Sequence, residues 1–177
     1  AFDGTVTDNN PTLRPFRSAN YDVSAEYYPA TGGQLAVAYF RKRIDDPIYT
    51  FRSTERNVTY DGRRFTTLRY TQQRNGDAGS LGGLELSWSQ PLYFLPGWLN
   101  GLGANANVAL VTSELRIVGR DGTLPFLGQP DRVINLIPYY QRGPFEVRLA
   151  YARRSEFLAA VTTPGFDRFM AARETMD

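Results

Sequence analysis

Short runs in which apolar and polar residues alternate recur along the chain and predict β-strands. In "NYDVSAEY", residues 20–27, every second side chain is apolar and the side chains between them are polar. Helical periodicity is nearly absent. The clearest strands are predicted near 21–28, 34–43, 83–90, 102–113, 133–141 and 145–154. The pattern therefore predicts an all-β fold.

The connections between these strands alternate in length, which predicts an antiparallel up-and-down meander. "PATGG", "PLYFLPGWLNG" and "RGP" are short or moderate, whereas 45–82, 114–131 and the stretch after Glu156 are long. In a meander, every second connection lies at the same end, so all the long loops share one end. The first long segment is predicted to contain a hairpin near 48–73 around "YDG", because Asp-Gly favours a tight turn. This hairpin would extend the two flanking strands.

The apolar face of the strands must leave water, and it can pack either on a protein core or on lipid. Glu, Asp, Asn and Arg on the opposite face suit a wet lumen, and aromatic residues gather near the short turns as an interfacial girdle would. A soluble antiparallel sandwich with the same alternation is the alternative. On the lipid hypothesis one outer belt is expected, formed by Tyr21, Val23, Ala25, Leu35, Val37, Leu84, Leu86, Trp88, Ala106, Val108, Val147 and Leu149.

Composition narrows the possible chemistry. The 177 residues include no Cys and no His, which excludes disulfides, Cys nucleophiles and every His-based catalyst or metal ligand. We expect no enzyme activity, no cofactor and no metal site. The formal net charge is only +2 and the arginines are interleaved with acids, which disfavours nucleic acid as a partner. A mean hydropathy of −0.39 does not decide between water and lipid, because membrane β-strands alternate.

Specific stretches resemble a known family. "NPTLRPFRSANYDVSAEYY", "LAVAYFRKRIDD", "GGLELSWSQPL", "GLGANANVALVTSEL" and "VRLAYARRSEFL" are similar, in order, to segments of bacterial TonB-dependent outer-membrane receptors. Together these matches run from Asn10 to about Leu158. The chain departs from the family pattern at Val108–Leu110 and at Pro138, where an irregular strand is expected because proline cannot complete a ladder.

The resemblance implies a segment of a large transmembrane β-barrel of roughly 22 strands, with an N-terminal plug that couples to TonB. Residues 1–177 are expected to be part of that barrel domain, without the plug and without the last strands. The parent protein would lie in the bacterial outer membrane and import a small-molecule ligand such as a siderophore, cobalamin or saccharide. Its partners would be the plug, TonB, outer-membrane lipid and lipopolysaccharide. The alternative function is a soluble, aromatic-rich β-module that binds carbohydrate or protein.

The predicted loop hairpin concentrates arginine and tyrosine, which suits a binding mouth. Arginine binds carboxylate or phosphate through two hydrogen bonds, and aromatic rings stack on ligand rings. The ligand-binding candidates are Tyr49, Arg52, Arg56, Tyr60, Arg63 and Arg64. Glu85 and Arg148 fall on the polar side of their strands and are expected to face the lumen.

Overall fold

The computed structural model describes residues 2–177, and β-strands make up most of it. The strands are β1 (Phe2–Asp8), β2 (Arg17–Tyr27), β3 (Gln34–Asp45), β4 (Ile48–Tyr60), β5 (Arg63–Asn75), β6 (Ala78–Pro91), β7 (Leu102–Arg116), β8 (Arg132–Arg142), β9 (Phe145–Arg148), β10 (Tyr151–Arg154), β11 (Phe157–Ala160), β12 (Arg168–Met170) and β13 (Arg173–Met176). A short 3-10 helix covers Gly97–Gly101. Within the described residues, no helix is both long and apolar enough to cross a membrane.

The largest sheet is antiparallel throughout and follows the chain. Its strand order is β2-β3-β6-β7-β8-β10-β13, and β9 also pairs with β8. Only the β4–β5 hairpin is skipped between β3 and β6, and it belongs to a second sheet with the order β1-β5-β4. The predicted antiparallel up-and-down meander is therefore confirmed.

The strands differ from the predicted ranges in three ways. β2, β6 and β7 extend beyond the predicted ranges at their long-loop ends, to Arg17, Ala78 and Arg116. β1 was not predicted, and it pairs parallel to β5, an exception to the antiparallel rule that is confined to the smaller sheet. The strand predicted at 145–154 is split into β9 and β10, because its position 149 faces Pro138. Leu149 N–H still donates to Pro138 O (3.1 Å), but proline has no N–H to return the bond.

The hairpin of β4 and β5 continues the strands on either side of it. Asp45 pairs with Ala78 in the large sheet and Ile48 pairs with Asn75 in the small one, so one register runs through both. At the tip, Asp61 and Gly62 have φ values of 47° and 72°, and two consecutive positive values define the type I′ turn that Asp-Gly favours. The expectation that this hairpin extends its flanking strands is confirmed.

The apolar side chains of the large sheet form one face across neighbouring strands. The cross-strand pairs run Val37–Leu86 from β3 to β6, Leu86–Val108 from β6 to β7, and Val108–Ile134 from β7 to β8. None of the twelve predicted belt residues is buried, and Val23 remains 71% exposed. The expectation that this face stays out of any protein core is confirmed. We call it the apolar belt.

The opposite face of the sheet is mixed, with Phe40, Val133 and Ile137 among its polar side chains. It carries Glu85 and Arg148, both exposed, and the Arg148 guanidinium pairs with Glu146 two residues away on the same face.

Near the short turns, the Tyr139 ring lies over Gly103 of β7, where a Cβ atom would come within 2.2 Å of a ring carbon. Gly103 therefore gives the tyrosine ring room to lie flat against the strand.

Candidate functional site

The buried core lies at the long-loop end of the molecule. Three stretches meet there, which we call the outer segments: the hairpin 46–77, the segment 117–131 and the segment 155–172. The core cluster comprises Tyr49, Leu115, Ile117, Leu158 and Val161, with Phe51, Leu124, Phe126 and Leu127 packed against it. Leu158 and Val161 are fully buried. The strongest packing therefore holds loops together rather than the wall of strands.

Backbone hydrogen bonds also join the outer segments. Arg52 N–H in the hairpin donates to Val161 O (3.0 Å), and Gly128 N–H donates to Leu158 O (2.8 Å). Each bond connects two different outer segments. The three segments are consequently one packed unit, and a change in one is felt by the other two.

A nearly buried ion pair connects the second outer segment to the third. The Arg120 guanidinium lies 2.6 Å from a carboxylate oxygen of Asp167, and the two side chains are 12% and 11% exposed. The other Asp167 oxygen accepts a hydrogen bond from Thr162 N–H (2.8 Å), and Arg120 also donates to Thr162 O. Both charged groups are therefore well satisfied, as burial of an ion pair requires.

The hairpin is joined to the large sheet through a short, well-bonded joint at Asp46–Pro47 and Gly76. Asp46 has a positive φ of 52°, and Gly76 N–H donates to Pro47 O. The segment 9–16, which contains the "NPTLRP" stretch, crosses the hairpin at this level. The Asn75 side chain accepts from Arg14 N–H (2.8 Å) and donates to Arg14 O and Asp46 O, so it ties the crossing segment to the joint.

A cavity of about 670 Å³ lies between the hairpin and the third outer segment. Arg52 and Arg69 line it from the hairpin, and Arg168 and Phe166 line it from the other side. Thr5, Thr54, Thr71, Thr162 and Thr163 supply hydroxyl groups around it. No acidic residue of the described part of the chain is among its lining. We call it the arginine cavity, and its chemistry suits an anion with hydrogen-bond acceptors.

Two tyrosines near the arginine cavity have perturbed pKa values. Tyr70 O–H donates to the carboxylate of Asp8 (2.8 Å), and this hydrogen bond raises the pKa of Tyr70 above its ordinary value. Burial raises the pKa of Tyr49. Both shifts favour the neutral phenol.

The comparison with protein families identifies the family to which the chain belongs. The sequence model of the family described as "TonB dependent receptor-like, beta-barrel" matches residues 1–172. The chain belongs to this family. The large sheet is therefore a segment of a TonB-dependent receptor barrel, and the family places the protein among outer-membrane receptors.

Solved structures with the same fold include receptors for iron compounds. The siderophore receptor PirA from Acinetobacter baumannii is 15% identical with a TM-score of 0.56, and the match covers 96% of this chain and 26% of that one. A variant of the ferric enterobactin receptor PfeA from Pseudomonas aeruginosa, in complex with enterobactin, is 14% identical with a TM-score of 0.56 and coverages of 96% and 24%. The FrpB iron transporter from Neisseria meningitidis is 14% identical with a TM-score of 0.56 and coverages of 98% and 23%.

These likenesses show the fold alone. The chain spans about a quarter of the length of these receptors. None of the curated proteins matches its sequence significantly.

The structure places the predicted ligand-binding residues in three different surroundings: the arginine cavity, the core and the outer part of the hairpin. Arg52 lines the arginine cavity, whereas Tyr49 is only 7% exposed and packs in the core, which favours a structural role. The remaining candidates lie further along the hairpin and do not line that cavity: Arg56, Tyr60, Arg63 and Arg64. The sequence patterns did not single out Arg168 and Phe166, because they lie about 90 residues beyond the end of the hairpin in a segment without alternation.

Proposed function

We propose that this chain forms part of the wall and outer loops of a receptor that imports a small anionic ligand across the bacterial outer membrane. The arginine cavity is the observation that carries this proposal. Three arginines converge on it without a carboxylate among the described lining residues, and the rings of Phe166 and Tyr70 flank them. Such a site favours a negatively charged, partly aromatic compound over a neutral saccharide.

The ligand class that fits best is a ferric siderophore with carboxylate or catecholate groups, because such complexes carry net negative charge. The solved relatives described as a siderophore receptor and an iron transporter point in the same direction. Cobalamin and saccharides are less suited to three cationic groups. In this proposal Arg56, Tyr60, Arg63 and Arg64 form an approach surface further out on the hairpin.

The remaining parts of the proposal follow from family membership. Residues 1–177 would form part of the barrel domain, the face with Glu85 and Arg148 would line the lumen, and a plug would couple the receptor to TonB. The apolar belt would contact outer-membrane lipid. The exposure of this belt also argues against the soluble β-module, since a soluble protein rarely exposes so large an apolar face.

Ligand binding to the full-length receptor tests the proposal. Purified receptor is titrated with ferric catecholate, carboxylate and hydroxamate siderophores, and uptake of radioactive iron is measured in cells that depend on this receptor. Replacing Arg52, Arg69 and Arg168 together by Gln should weaken binding of the anionic ligand on the order of 100-fold, because the hydrogen bond of each arginine contributes about 1 kcal/mol net.

The matched comparison replaces Arg56, Arg63 and Arg64 by Gln, which removes the same charge from the outer part of the hairpin. A smaller loss of affinity in this variant supports the arginine cavity as the binding site. If the hairpin variant loses affinity and the cavity variant does not, the ligand binds on the hairpin. If neither variant differs from the parent receptor, neither surface is the binding site. If the parent receptor binds none of the anionic chelates, the proposed ligand class is wrong.

A further inference from the structure

A turn in the third outer segment separates two cavities. Phe166 and Arg168 line the arginine cavity, whereas Asp167, which lies between them in the chain, lines a smaller cavity of about 310 Å³. Arg120 lines this smaller cavity from the second outer segment and does not line the arginine cavity. We call residues 162–168 the dividing turn. Contacts on its Asp167 side therefore bear on where Phe166 and Arg168 lie.

Hydrogen bonds within the dividing turn fix its shape. Phe166 N–H donates to Thr163 O (3.0 Å), and the Thr162 hydroxyl donates to Phe166 O (2.6 Å). Thr162 N–H donates to one carboxylate oxygen of Asp167 (2.8 Å), so the start of the turn is bonded to its far end. The carboxylate of Asp167 is thus part of the turn itself, and its second oxygen bonds outside the turn.

Arg120 attaches the dividing turn to the second outer segment. One terminal nitrogen of its guanidinium donates to the second oxygen of Asp167 (2.6 Å), and the other donates to Thr162 O. A guanidinium holds its donors in a rigid plane, so one side chain fixes two points of the turn at once. Among the ion pairs within residues 2–177, this is the only one that involves the turn.

Arg120 also balances the charge of the dividing turn. Asp167 is the only acid of residues 162–168, and its side chain is 11% exposed, so water and salt screen its charge weakly. Without Arg120, this negative charge would lie beside Phe166 and Arg168 and would oppose an anion in the arginine cavity. With Arg120 bonded to Asp167 the pair carries no net charge, and Arg168 gives the cavity side of the turn a positive charge.

We propose that Arg120 is a positioning residue for anion binding in the arginine cavity. It holds the dividing turn so that Phe166 and Arg168 line that cavity, and it neutralises the carboxylate behind them. This inference rests on the proposed function, since it takes the arginine cavity as the anion site. It adds to that site a residue that does not line the cavity and belongs to a different outer segment.

A purely structural brace and the proposed role give different results when the partner of Arg120 is also changed. If Arg120 only braced the outer core, removing the charge of Asp167 as well would not restore anion binding to Arg120→Ala. In the proposed role, Arg120→Ala combined with Asp167→Asn should recover binding. Asparagine carries no charge, and its amide oxygen still accepts the hydrogen bond from Thr162 N–H.

The test titrates the detergent-purified full-length receptor with inorganic pyrophosphate in a calorimeter. Guanidinium groups bind phosphate oxygens directly, so this probe reports on the cavity whichever siderophore is imported. Arg120→Ala should bind it about tenfold more weakly than the parent receptor, and the double variant should return to within about threefold, as is typical of substitutions without ligand contact. The matched control Arg116→Ala removes an exposed arginine of the preceding strand and should leave the affinity unchanged.

Parent-like affinity in Arg120→Ala, an equal loss in Arg116→Ala, or no recovery in the double variant would each overturn the inference. The variant with Arg52, Arg69 and Arg168 replaced by Gln is titrated in the same assay. If it loses pyrophosphate binding while Arg120→Ala does not, only the role of Arg120 is wrong. If the parent receptor binds no pyrophosphate, or this cavity variant binds it as well as the parent does, the cavity is not an anion site and both proposals fail. Heat-modifiable migration on a denaturing gel verifies that each variant is folded.

Discussion

Replacing Arg120 by Ala should loosen the outer segments without unfolding the wall of strands. The substitution removes the partner of a carboxylate that is only 11% exposed and the donor to Thr162 O, while Asp167 keeps its bond from Thr162 N–H. Breaking a fully buried ion pair costs about 3–5 kcal/mol, because the remaining charge is left without a partner. Here a cavity of about 310 Å³ borders both residues and can hydrate the carboxylate, so we expect about 2–3 kcal/mol.

Hydrogen exchange of the full-length receptor measures this loss locally. Three amides report on the packing of the outer segments, namely those of Arg52, Gly128 and Thr162, because each donates across or within these segments. A loss of 2–3 kcal/mol in the free energy of local opening lowers their protection about 30- to 150-fold. Amides in the centre of β3 and β6 should keep their protection.

Two further variants separate the ion pair from simple truncation. Arg116→Ala removes an exposed arginine from the end of β7 and should leave the three amides unchanged. Combining Arg120→Ala with Asp167→Asn removes the stranded charge, so the double variant should lose less protection than the two single losses added together. Unchanged protection in Arg120→Ala, or strict additivity of the two substitutions, would refute the interpretation of this pair as a coupled clamp.

Three other predictions concern the joint, a tyrosine and the core. Asn75→Leu should expose the Arg14 amide to exchange, since it removes the acceptor of that amide and both bonds to Arg14 O and Asp46 O; retained protection would contradict the role of Asn75. Asp8→Asn should lower the pKa of Tyr70, seen in the ultraviolet titration difference against Tyr70→Phe. Because the folded pKa of this acid is raised, its stabilisation is complete below the ordinary tyrosine pKa and is lost as pH rises through the folded value. Leu158→Ala should weaken the outer core by about 2–5 kcal/mol and raise exchange at Gly128, whereas Leu86→Ala on the exposed belt should leave it unchanged.

The strands could be predicted from the sequence because their signal is local. Alternation in "LELSWSQ" or "GANANVAL" already determines which side chains share a face, and pairing between neighbours in the chain follows from the short turns. Asp61-Gly62 specified its turn for the same reason. The break between β9 and β10 was not predicted, because the irregularity was expected in the strand that contains Pro138 and instead lies in the strand paired with it.

The arginine cavity could not be predicted in the same way. Thr5, Arg52 and Arg168 come together only because the segment 155–172 packs on β4 and β1 pairs with β5, contacts between residues that are distant in the chain. The hairpin also shows that an Arg- and Tyr-rich composition does not identify which residues line a binding site. Tyr49 and Arg52 belong to one Arg- and Tyr-rich stretch, yet the tyrosine enters the core and the arginine lines the cavity.

The wall of strands and the outer segments differ in whether the protein itself buries their apolar side chains. The wall leaves Val23, Leu86 and Val147 exposed, and in the proposed function lipid covers them. The outer segments bury Leu158 and Val161 completely, as a water-soluble domain does. Because these segments share a packed core, they hold the lining residues of the arginine cavity together. The boundary between the exposed wall and the packed outer segments lies at the joint tied by Asn75, through which one continuous pair of strands passes.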